Sequence, residues 1–138
     1  MLVEFALVLP LLMLITVIIL DFGRAINYWI DGTHLASEGA RLAAVDRVPG
    51  GDLATYLRDH ADTAELKNGG TSSVPNPLTV CVDFPEGPEV GNPVTVSVST
   101  TYNWLPILDD NGGLPSSEIR GEATMRLERE PSYGAGCS

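Results

Sequence analysis

Few side chains in this sequence are of a kind that does chemistry, and fewer stand at spacings that would let them act together. His34 and His60 are the two histidines. His34 lies between Thr33 and Leu35, and His60 sits near Asp59 and Asp62. A metal site needs donors gathered at helical or hairpin spacing, and no HxxxH, HExxH or CxxC pattern supplies them. Asp109-Asp110-Asn111-Gly112 offers oxygen donors and a glycine turn. It lacks the alternating ligands and distal glutamate of an EF-hand loop, so it reads as a solvated turn with at most weak calcium affinity. No Ser/His/Asp set and no glycine-rich phosphate loop can be assembled. Neither a catalytic residue, nor a metal, nor a cofactor is expected.

Two kinds of residue remain. Cys81 and Cys137 are the two cysteines, so a single intramolecular pairing is available. Outside the cytoplasm they could bridge and stabilise the fold by about 4 kcal/mol on a chain-entropy estimate; otherwise they are free thiols. Glu4 has the most chemical content. It stands at the head of an uncharged run, Phe5 to Leu20, that holds one hydroxyl, Thr16. Carried to a bilayer centre, a carboxylate costs roughly 3 kcal/mol. Near a helix N-terminus the free N–H groups and the macrodipole lower that cost. Glu4 is then either an interfacial capping acid or the partner of a cation in an assembly, such as the α-amino group of a neighbouring chain.

The elements that must position these residues follow from composition and period. The chain has 138 residues, a formal net charge of −10 and 44% hydrophobic residues. So acidic a chain is a poor partner for nucleic acid, and the apolar fraction excludes disorder. The acid and the apolar residues are separated along the chain. Up to Ile30 the ionised side chains are Glu4, Asp21 and Arg24. Phe5 to Leu20 as helix measures roughly 24 Å, a little short of a hydrocarbon core of about 30 Å. No basic flank precedes it and no small-residue cleavage site follows, which argues against a signal peptide. The missing flank predicts that a segment has been lost from the front. Pro10 predicts a kink or local loosening.

Helical spacing continues through Phe22, Ile26, Trp29 or Ile30, Thr33, Ala36, Ala40 and Ala43, so one helix from about Glu4 to Asp46 is expected. Ala36, Gly39, Ala40 and Ala43 permit close helix–helix packing. Asp52 caps a second helix, roughly Leu53 to Lys67. Period two then marks three strands, Leu78–Phe84, Val94–Ser99 and Ile119–Leu127, as an antiparallel meander. The predicted fold is α+β. Residues 1–30 form a protruding apolar half-helix. Residues 31–138 form a head in which the amphipathic half-helix and one short helix cover a three-stranded sheet.

Val3-Glu4-Phe5-Ala6-Leu7-Val8-Leu9-Pro10, then Asp21-Phe22-Gly23-Arg24-Ala25, then Glu38-Gly39-Ala40-Arg41 resemble the TadE-like family. These are pseudopilins and minor pilins of tight-adherence (Tad-type) type IV pili. The resemblance is closest over the first 45 or so residues. It implies a precursor cut by a prepilin peptidase, storage in the inner membrane with the head outside the cytoplasm, and assembly with other pilin subunits into an extracellular filament for surface attachment. It also implies that Glu4, followed by the aromatic Phe5, pairs with a neighbour's amine. The family's acid is usually the fifth mature residue; here it is fourth, so a missing residue or a shifted cleavage position is expected. The alternative is a membrane-anchored adhesin or binding module outside any filament, with Tyr102 and Trp104 as surface contacts. Aromatic residues at such positions are more often core.

Overall fold

The computed structural model describes residues 2–106 and 115–138. The Asp109-Asp110 turn lies outside the described residues. The chain is α+β. Helix α1 (Leu2–Ala44) is followed by a single 3-10 turn (Pro49–Gly51), then α2 (Leu53–Asp59) and α3 (Ala64–Asn68). Strands β1 (Thr79–Asp83), β2 (Pro93–Asn103), β3 (Ser116–Arg126) and β4 (Gly136–Cys137) complete it.

The sheet is antiparallel with order β3-β2-β1-β4, one strand more than the period-two pattern predicts. The fourth strand is two residues long, too short to carry a period. Alternation sorts the two faces as expected. Val94, Val96, Val98 and Tyr102 are buried beneath α1 and α2, joined by Val80 and Val82 of β1. The opposite face is polar, with Thr95 and Thr124 hydrogen-bonded at 2.9 Å and Arg120 paired to Glu122 at 3.1 Å.

Helix α1 is 43 residues, roughly 65 Å at 1.5 Å per residue, and it continues through Pro10. Among the described residues, its buried side chains begin only at Asp21. The face it buries differs from the predicted stripe at one end. Phe22, Ile26, Trp29 and Ile30 are 41–57% exposed, and Asp21, Ala25, Tyr28, Asp31 and Leu35 are buried in their place. Hydrophobicity misleads here because four bulky apolar residues face outward while two aspartates face inward.

Ala36, Ala40 and Ala43 are fully buried. They were expected to pack helix against helix; most of what they meet is the chain's own sheet. A Cβ on Gly39 would lie 2.8 Å from Leu57 Cδ1 of α2 and 3.0 Å from Val96 Cγ1 of β2. The small residues thus bring α1 down onto the sheet and α2 of the same molecule.

The single helix predicted over Leu53–Lys67 is two. Asp52 caps α2 as expected, accepting from Ala54 N–H at 3.3 Å, Thr55 N–H at 3.1 Å and the Thr55 hydroxyl. Those bonds to the carboxylate hold its pKa below the usual range, the Thr55 hydroxyl first among them. The helix then breaks because Asp31 of α1 captures the donors of the next turn. Its carboxylate accepts from Asp62 N–H at 3.4 Å and from Thr63 N–H and hydroxyl at 3.2 and 3.1 Å. An α1 side chain therefore starts α3, an arrangement that local propensity does not encode.

Candidate functional site

Two surfaces carry what function the molecule shows: the exposed apolar half of α1, and the ring of residues where that half enters the head. From Val3 to Leu20 every side chain is exposed. Leu7, Leu11, Met13, Ile19 and Leu20 are each at least 61% exposed. An apolar surface so continuous is not left to water. By length and composition this is the one helix, among the described residues, able to cross a membrane, with a mean hydropathy of 2.8 over its best window. Thr16, the only hydroxyl between Val3 and Leu20, donates to the Leu12 carbonyl at 2.8 Å, so it leaves no unmet polar group in an apolar surrounding. Glu4 and Phe5 both lie exposed in the first turns, where the helix macrodipole favours an anion.

Asp21 closes the apolar run. In sequence it looks like a charge facing lipid or water; in the structure it is 6% exposed and turned into the head. Its Oδ1 accepts from the Tyr102 hydroxyl at 2.6 Å, and its Oδ2 accepts from the Leu105 N–H at 3.0 Å. Leu105 reaches that position with a φ of 46°, in the left-handed region that costs a non-glycine residue about 1–2 kcal/mol. The bond to a carboxylate offsets it. Burial, and then the bond to Asp21, raise the Tyr102 pKa far above that of a free tyrosine. Tyr102 remains a neutral donor at any physiological pH.

Tyr102 is fully buried, which fits the core reading of these aromatics and not the surface-contact alternative. Its ring packs on Tyr28 at 5.7 Å and edge-on to Trp104 at 5.0 Å. Trp104 is half-buried, stacks with Phe22 at 6.3 Å and donates its indole N–H to Ser117 Oγ at 2.8 Å. The head therefore covers one face of α1 from Asp21 onward, some ten residues before the boundary that the division into 1–30 and 31–138 places there. Nothing in the sequence indicated that Asp21 and Asp31 turn inward. Tyr102→Phe is expected to lower stability by about 2 kcal/mol, the usual cost of losing a hydrogen bond to a charged group. Thermal unfolding of the detergent-solubilised protein checks this; an unchanged midpoint removes the Asp21–Tyr102 bond from the account.

Cys81 and Cys137 are joined in a disulfide, with Cα atoms 4.0 Å apart across β1 and β4. The bridge lies on the polar face of the sheet and ties down the C-terminal segment. A second fastening is electrostatic. Asp46, just past α1, accepts from Ser132 N–H at 2.9 Å and Ser132 hydroxyl at 2.8 Å, which lowers its pKa.

His34 and His60 are both exposed. The His60 ring stacks on Tyr56 at 4.0 Å, with Nδ1 2.8 Å from the Tyr56 carbonyl oxygen. Among the described residues no three His, Cys, Asp or Glu side chains gather as a metal would need.

No curated protein and no solved structure matches the chain. A family model does. The matched segment, residues 1–41, contains the exposed apolar span, Asp21, Asp31 and most of the small residues that seat α1 on the sheet. Over that helix the chain is similar to the TadE-like protein family.

Proposed function

We propose that the chain is a pilin-like structural subunit of a Tad-type pilus, held in the membrane by the apolar half of α1 and assembled from there into or onto an extracellular filament that attaches to surfaces. The observation that carries this is the division of one continuous helix. Phe5 to Leu20 is apolar and exposed, while one face of the helix from Asp21 onward is built into a disulfide-closed head. Such a helix can pass from lipid to a bundle of like helices without exposing its apolar surface to water, because the two surroundings are similarly apolar. The disulfide supports a head outside the cytoplasm, where oxidised cysteines persist. The role is structural rather than catalytic, and the partners are other pilin subunits, with a prepilin peptidase acting on the precursor.

An adhesin that stays out of the filament gains little from the structure, since Tyr102 is core and Trp104 is half-covered. In the proposed filament Glu4 meets the α-amino group of a neighbouring subunit and sets axial register, a use for which ion pairs in apolar surroundings are well suited. Glu4→Ala is expected to abolish incorporation into filaments while leaving the protein in the membrane fraction. Purified filaments probed for this subunit check it, and filaments containing the variant at the normal level overturn the pairing.

A further inference from the structure

Where α1 leaves its apolar span, a groove of about 250 Å³ runs between the helix and the segment after β2, lined by Ile18, Ile19, Asp21, Phe22, Trp104 and Leu105. Its lining is apolar in effect as well as in name. The one acid, Asp21, is committed to Tyr102 and to the Leu105 N–H. The one side-chain donor, the Trp104 indole N–H, is committed to Ser117. What remains to line the groove is two isoleucines of the span, a leucine, and the stacked rings of Phe22 and Trp104.

Length says what fills it. Val3 to Leu20 rises roughly 27 Å at 1.5 Å per residue, against a hydrocarbon core about 30 Å thick. The turn holding Phe22 must therefore stand at the membrane boundary if the span is to cross. Asp21 would bar that placement if its carboxylate faced outward. Turned into the head and hydrogen-bonded, it does not. Ile18 and Ile19 belong both to the span and to the groove, so the medium around the span is continuous with the groove. Arg24, exposed on another flank of the same helix, borders further clefts with Leu20, placing a guanidinium within reach of phosphate oxygens.

We propose that this groove is a lipid site: the head seats on the outer face of the membrane through Phe22, Trp104 and Leu105, and the groove takes the upper part of a phospholipid acyl chain. This rests on the membrane-held form proposed above. It adds that the head itself contacts lipid. The amphipathic indole of Trp104, apolar in its ring and bonded at its nitrogen, suits the headgroup boundary. Removal of the subunit into a filament would then require the groove to release its lipid.

The chain has two tryptophans, Trp29 and Trp104, so each can be read alone. Trp29→Phe leaves Trp104 as the sole indole emitter, and Trp104→Phe leaves Trp29. Each full-length variant is reconstituted into phosphatidylcholine vesicles brominated either near the carbonyl end or near the methyl end of the acyl chains. Bromine quenches indole emission on contact. Trp104 is expected to lose most of its emission to the carbonyl-end label and much less to the methyl-end label. Trp29, roughly 10 Å farther along the helix than Phe22, is expected to be quenched less by either. Flotation with the vesicles is measured on the same samples. Protein that floats while Trp104 escapes both labels overturns the lipid site and leaves membrane storage standing. Protein that does not float overturns membrane storage, and the lipid site with it. A Trp104 emission that changes with protein-to-lipid ratio but not with bromine assigns the groove to a second copy and also overturns the proposal.

Discussion

Gly121→Ala is expected to destabilise the head by about 3 kcal/mol, the upper end of the usual overpacking cost. Local propensity predicts the reverse. Glycine inside a strand is worse than alanine by roughly 0.5–1 kcal/mol, and Gly121 is in the middle of β3. Packing decides the sign. A Cβ on Gly121 would stand 2.6 Å from the Gly32 carbonyl carbon and oxygen and from the Thr33 nitrogen. All three are backbone atoms of α1, so no rotamer change relieves the clash. The helix would have to lift from the sheet, separating the contacts that Leu35, Ala36, Val96 and Val98 make around it. Gly32→Ala is the internal control. A Cβ there meets nothing within 4 Å, and helix propensity favours alanine by about 1 kcal/mol. Denaturant unfolding of both variants checks the pair. A stabilised Gly121→Ala would show that α1 and β3 do not approach so closely.

Loss of the Cys81–Cys137 bridge is expected to cost about 4 kcal/mol, the chain-entropy value for a loop of this length, the bridged residues being 56 apart in sequence. The effect is large because little else holds the C-terminal segment. Strand β4 adds the exchanged Val80–Ser138 backbone bonds, both 2.9 Å. Asp46 adds its two bonds to Ser132. Beneath this segment lies a cleft of about 230 Å³ lined by residues including Leu53, Val80, Val82 and Tyr133. Burial, and then the charge of Asp46, push the Tyr133 pKa up to about 12, and the Tyr133 hydroxyl has no hydrogen-bond partner among the described residues. Freeing the segment would bare the β1 edge, which invites pairing with another strand. The expected result for Cys81→Ser/Cys137→Ser is a lower unfolding midpoint, with early loss of hydrogen-exchange protection at Val80 and Val82. A midpoint equal to that of the oxidised protein would show that the bridge contributes no stability.

Much of this was legible in the sequence. The uncharged run from Phe5 to Leu20 needs no partner to be recognised as an apolar helix, because hydropathy and helical rise are additive along a chain. The caps and period-two strands are also local, which is why Asp52 and the valines of β2 stand where they were expected. The lone pairing open to Cys81 and Cys137 followed from counting. What was misread depended on a partner distant in sequence. Phe22, Ile26, Trp29 and Ile30 formed a convincing stripe, but the sheet took the neighbouring face. Leu53 to Lys67 looked like one helix until Asp31 interrupted it.

The sequence by itself determined that one end of this molecule is a helix for an apolar medium and the other an acidic α+β head. Those properties are sums over residues that adjoin in the chain. Only the tertiary structure decided which face of the helix the head covers, that Tyr102 is core, and that Asp21 is buried at the end of the apolar span rather than exposed there. A carboxylate's cost in an apolar setting depends on the donors that meet it. The donors for Asp21 come from Tyr102 and Leu105, more than eighty residues away.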